Sequence, residues 1–258
     1  NDKVVNCLYQ NRNSPFRLVC FPWAGGGSNY FAKWGQDIPN SMEGHAIRLA
    51  GSESRLEDPF PSDIYQMVDE IACALLPVLQ GENFAFFGHS MGSYVTFMTV
   101  LHVKEKYKLE PVHLCVSGIS APHVSNFIFL REGGGKEGNG GEKSNLSEEQ
   151  ITCLLKDLVG IPADFVDDKA FLQQFPKLVT DSRIVSNYIF DTPSEAVLSY
   201  IPADLEAWED VTSGSFDIRV LPGCHFYLLE PSNEIFIKNY ITKSLEVSML
   251  HCSWIFSL

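Results

Sequence analysis

An apolar run, Asn83-Phe84-Ala85-Phe86-Phe87, breaks into Gly88-His89-Ser90-Met91-Gly92, and Ser93 to Leu101 can then continue as a buried helix. Strand, sharp turn and helix in so few residues leave few folds open. The turn is strained, because a side chain at either flanking glycine would collide with neighbouring backbone. That strain lifts the Ser90 hydroxyl clear of the sheet. A glycine-serine pentapeptide arises easily by chance. Its place between an apolar strand and a helix makes Ser90 a candidate nucleophile rather than an ordinary connection.

The rest of the chain repeats the alternation. Phe16 to Phe21 predicts a strand that leaves through Pro22-Trp23-Ala24-Gly25-Gly26-Gly27-Ser28, and Tyr30, Phe31 and Trp34 share one face of a short helix. His45 to Leu49 predicts a second strand, and Ile64, Met67, Val68, Ile71, Ala72, Leu75 and Leu76 recur at helical spacing. Val112 to Ser117 and Phe216 to Leu221 predict later strands, with a terminal helix from about Asn233 to Glu246. Short connections between such elements imply an α/β fold, a mostly parallel sheet with helices on both faces. A length of 258 residues suits one domain spanning 1–258.

An insertion from about 124 to 195 interrupts this order. Residues 131–145 hold six glycines and no large apolar side chain, a composition expected to form a mobile loop. Helices are then expected over Glu148 to Val159, Pro162 to Leu178 and Asp181 to Tyr188. They would form a lid over a substrate pocket, or an outer helical layer.

A net charge of −13 argues against nucleic acid and against anionic membrane surfaces as partners. No stretch approaches the roughly eighteen apolar residues of a membrane span. Asn1 to Asn6 lacks a secretory h-region and cleavage site. The seven cysteines are scattered without C-x-x-C spacing, so reduced thiols and a cytosolic (cytoplasmic) location are expected.

A serine nucleophile needs a base, an acid to orient that base, and donors for the oxyanion. His225 leaves the last predicted strand in a glycine-containing turn, late in the chain, where a loop can carry it over Ser90. His123 also leaves a strand and is the rival. His89 should point away from Ser90, His113 should pack within its strand, and His45, His102 and His251 have surface-like surroundings. The oxyanion donors are expected to be the backbone amides of Met91 and of Trp23 or Ala24. No His/Cys cluster has metal-ligand spacing, so neither metal nor organic cofactor is implied.

Five blocks in one order carry a resemblance: Phe21 to Ser28, Trp34, Leu49 to Arg55, Gly88 to Gly92, and Gly223-Cys224-His225-Phe226-Tyr227-Leu228. From about residue 15 to 247 the chain resembles the type II thioesterases, above all those that act with animal fatty acid synthase. The resemblance implies an α/β-hydrolase fold and a Ser-acid-His triad. It implies hydrolysis of fatty acyl thioesters, on acyl carrier protein or coenzyme A, with the carrier domain of fatty acid synthase as partner. Matching positions make Ser90 the nucleophile and His225 the base.

Three departures stand out. Ser52 replaces the usual arginine of Gly-Arg-Glu, the glycine-rich run precedes the expected lid, and between Leu198 and Leu205 the acid-bearing strand and its Gly-x-x-Asp turn are missing. Asp204 either replaces the lost acid or merely caps the helix containing Leu205 and Trp208. The same gap leaves a second reading open, a catalytically impaired homologue that binds acyl chains or a carrier domain. An oxygen-ester lipase or esterase is a third.

Overall fold

The computed structural model describes residues 3–119, 169–186, 206–223 and 225–253. Their centre is a five-stranded sheet in the order β1-β3-β2-β4-β5. The strands are β1 (Val5–Asn6), β2 (Phe16–Phe21), β3 (Met42–Ile47), β4 (Asn83–His89) and β5 (His113–Ser117). β1 runs antiparallel to β3, and the other pairs are parallel. The helices are α1 (Asn29–Ala32), α2 (Ile64–Leu79), α3 (Met91–Tyr107), α4 (Lys169–Ser186) and α5 (Pro231–Ser253).

A strand covered on both faces is largely apolar, and β2 is buried at every position, its one charged residue Arg17 included. Successive side chains point to opposite faces. Thus Phe16, Leu18, Cys20, Ala85 and Phe87 meet Phe31, Trp34, Ile237 and Ile241 on one side. Val19, Phe21, Phe84 and Phe86 meet Ile71, Leu75, Tyr94 and Val95 on the other. The result is a three-layer α/β/α arrangement with a core on each face. α2 starts where Asp63 Oδ1 accepts the Gln66 amide at 2.8 Å, an N-cap that satisfies one orphan donor of the first turn.

Three expectations need correcting. Phe216 to Leu221 alternates like a strand but joins no ladder among the described residues. A strand needs a neighbour, and β5 is the outermost strand described. The segment lies along α5 instead, where Tyr240 OH donates to Asp217 at 2.6 Å and Val220 is 85% exposed. The expected helices Pro162–Leu178 and Asp181–Tyr188 meet in one continuous α4 through Pro176. Asp181, expected to begin a helix, is instead buried within one, beside Lys177. The two-residue β1 was not anticipated. The glycine-rich run 131–145 and the helix Glu148–Val159 lie outside the described residues.

Candidate active site

In an open parallel sheet, ligands are met at the carboxyl ends of the strands. Here β2 ends in the Pro22–Gly27 loop, β4 in Ser90 and β5 in Ser117. Ser90 has φ 55° and ψ −124°, a conformation strained for a residue with a side chain. Its neighbours fix it there. A Cβ on Gly92 would sit 2.3 Å from the Phe21 carbonyl oxygen, and one on Gly88 would sit 2.4 Å from that of Gly92. The turn is also tied to β5. Ser90 N–H donates to the Ser117 carbonyl at 2.8 Å, and Ser93 Oγ–H lies between the carbonyls of Gly88 at 2.8 Å and Ser117 at 3.0 Å, either of which can accept it.

His225 arrives from the other end of the chain. Its Nε2 lies 2.8 Å from Ser90 Oγ, within hydrogen-bond distance. Residues 216–221 join no ladder among the described residues, and other contacts hold the His225 loop. Asn233 Nδ2 donates to Pro222 and Tyr227 carbonyls at 2.8 and 2.9 Å, Tyr30 OH donates to the Leu228 carbonyl at 3.1 Å, and Tyr227 OH meets Ser117 Oγ at 2.5 Å. Trp23 packs edge-on against Phe226 at 5.8 Å.

Burial pushes His225 from the ordinary imidazole range down to about 4. Among the described residues no carboxylate bonds it, and none contributes to that shift. Asp204 lies outside the described residues. Of the expected oxyanion donors, the amides of Met91, Trp23 and Ala24 carry no hydrogen bond among the described residues. Met91 opens α3, so its N–H also lies at the positive end of a helix.

A profile of the thioesterase domain matches residues 16–244. The chain belongs to the thioesterase family. It is 51% identical over 261 residues to the S-acyl fatty acid synthase thioesterase, medium chain, of Rattus norvegicus, covering 97% of this chain and 95% of that protein. Against the crystal structure of human thioesterase 2 the TM-score is 0.62 at 42% identity, over 91% of this chain and 98% of that one. RedJ, a thioesterase of the prodiginine pathway in Streptomyces coelicolor, gives a TM-score of 0.73 at 25% identity, over 91% of this chain and 87% of that one. The resemblance read from the sequence blocks is borne out, and the thioesterase has the α/β-hydrolase fold.

Four other histidines of this thioesterase have partners of their own. His89 is wholly buried, with Nδ1 2.8 Å from Ser117 Oγ, and its ring packs 5.1 Å from that of His225. Burial first, then the charge of His225, lowers it to about 3, so it stays neutral. The His225 backbone favours its charged form slightly, yet Nε2 makes no hydrogen bond of normal geometry. His113 packs on α5, bonding Ser244 O and Ser248 Oγ at 3.0 and 2.9 Å. His102 is partly exposed beside Asp69. His45 is not surface-like: it is buried on β3, with Nε2 2.9 Å from Glu43. Two residues apart on one strand, the pair shares a face, a signal that i, i+2 spacing could have supplied. His123 lies outside the described residues.

One group among the described residues brings metal-ligand atoms together, Cys7, Glu43 and His45, all within 4.8 Å. Glu43 and His45 lie on β3 and Cys7 just after β1, with Glu43 near the β3 start, toward the sheet end opposite Ser90. Glu43 already accepts the Asn11 amide and lies 3.6 Å from the Arg17 guanidinium. Burial, then Glu43, pushes the Cys7 thiol up to about 11. A guanidinium in this position opposes a further cation, and the group is a buried ion-pair network.

Proposed function

We propose that this chain is a serine thioesterase that releases free fatty acid from acyl thioesters, on acyl carrier protein or coenzyme A, and so ends fatty acid synthesis. The observation that carries the reading is the 2.8 Å approach of His225 Nε2 to Ser90 Oγ on a strained nucleophile turn. His225 takes the Ser90 proton as the oxygen attacks the thioester carbonyl. The Met91 and Trp23 amides receive the negative charge on the carbonyl oxygen. The thiolate leaves with the proton returned by His225. Water activated by the same ring then cleaves the acyl-enzyme and frees the fatty acid. Named relatives act with fatty acid synthase, which supports its carrier domain as partner and the cytosol as location. No helix among the described residues is long and apolar enough to cross a membrane. The insertion from about 124 to 195, of which α4 is the described part, would cover the acyl chain.

A fluorophosphonate probe together with an acyl-thioester substrate tests this. Ser90 should be labelled and the thioester cleaved, and Ser90→Ala should abolish both. Cleavage that persists in Ser90→Ala refutes the assignment. The absence of a carboxylate on His225 among the described residues favours a second reading, an impaired homologue that binds acyl chains or a carrier domain. Loss of the acid lowers turnover roughly 10⁴-fold in a measured triad. A thioester is an activated acyl group, so some turnover survives that loss. Slow labelling with retained acyl-thioester binding would select this second reading.

A further inference from the structure

We infer that Asp181 is a positioning residue for the loop that supplies the second oxyanion donor, so that α4 and the oxyanion site move as one unit. The inference rests on the hydrolase reading above. Asp181 Oδ2 accepts the Gly25 backbone N–H at 2.9 Å, across 156 residues of sequence. Gly25 directly follows Trp23 and Ala24, whose amides are unpartnered among the described residues.

The contact is built, not incidental. Asp181 is 1% exposed and forms an ion pair with Lys177, one turn earlier on α4. Burial raises its pKa, and the Lys177 charge and the Gly25 amide pull it back. Leu178 completes the fit, because a Cβ on Gly25 (φ 76°) would lie 2.8 Å from Leu178 Cβ. A helix that needed only to pack here would do as well or better with an apolar side chain, since burying a charge is unfavourable. What a carboxylate adds is one directed bond to one loop amide.

The far end of the loop is held separately, by the exposed turn at Glu53. The Glu53 carboxylate accepts Ser28 Oγ–H at 2.6 Å and the Asn29 amide at 3.0 Å. Gly26 N–H turns inward to the Trp23 carbonyl at 2.9 Å. Asp181 is thus the tie from α4 to the near end, where the donors lie. Deleting an oxyanion donor outright lowers kcat by about 10²–10³. Freeing the donor's loop should therefore lower kcat about tenfold or more and leave KM nearly unchanged.

The test compares Lys177→Met/Asp181→Ala with Lys177→Met/Asp181→Asn in the full chain. Both remove the ion pair without stranding a buried lysine charge, and only the second keeps an acceptor for Gly25. The alanine double variant should lose about tenfold or more in kcat with KM held, and amide hydrogen exchange at Gly25 should speed up. The asparagine double variant should restore both. Equal behaviour of the two variants overturns the inference, as does wild-type exchange at Gly25 in the alanine form. A wild-type chain that cleaves no thioester would sink the hydrolase reading instead, and Gly25 exchange would still decide the anchor.

Discussion

Acidification is the sharpest probe of how His225 works. A histidine backed by a carboxylate has its charged form stabilised, and its pKa rises. Burial without such a partner does the reverse, and among the described residues burial alone lowers the ring to about 4. The base must be neutral to take the Ser90 proton, so the acid limb of kcat/KM should fall near pH 4, not in the usual imidazole range near 6.5. At pH 5 a ring with pKa near 4 keeps about nine-tenths of its neutral form, whereas one near 6.5 keeps about three per cent. The assay is hydrolysis of a medium-chain acyl-coenzyme A thioester from pH 3.5 to 8, with stability checked at each pH. Linkage sets that check: the unfolded ring binds protons before the folded one, so its contribution to stability is full above about 6.5 and lost as pH falls toward about 4. An acid limb at or above 6.5 refutes the reasoning and places a carboxylate on His225. Asp204→Asn should then move that limb down if Asp204 is the acid.

Three further outcomes follow from the geometry. Gly92→Ala drives a methyl to 2.3 Å from the Phe21 oxygen, so it should lose about 1–3 kcal/mol in urea unfolding and abolish fluorophosphonate labelling; wild-type stability would refute the packing. Tyr227→Phe removes the hydroxyl that meets Ser117, and with about 1 kcal/mol of anchoring gone, kcat should fall several-fold at constant KM. Equal kcat would show that the loop's other contacts, Asn233, Tyr30 and Trp23, suffice to hold it. Asp63→Ala removes an N-cap whose hydrogen bonds run to Gln66 and Ser62 and not to Ser90 or His225, so unfolding free energy should drop by about 1 kcal/mol with turnover unaltered.

Elements that bury residues on a regular period were legible in the chain. The apolar runs of β2 and β4 and the helical spacing in α2 predicted their elements, because burial on one or both faces sets those patterns. The pairing of Ser90 with His225 followed from the chemistry a serine needs. Phe216 to Leu221 alternates correctly and still lacks a ladder among the described residues, because alternation describes a surface and pairing requires a neighbour. His45 looks exposed when read alone, and the cue to its burial lies two positions away, in the Glu43 carboxylate on the same face of the strand. Asp181 was out of reach altogether. Its partner is a backbone amide 156 residues away, and no local pattern encodes such a contact.

Among the described residues the base is moored by side chains, chiefly Asn233 and Tyr227, and not by a strand locked into the sheet. Segments held by few hydrogen bonds open at lower free energy than core strands do. Gentle heating or low denaturant should therefore disarm the hydrolase while the strands beneath Ser90 stay intact, and the loss should reverse on cooling. Catalytic shelf life and global melting then become two separate properties of one chain.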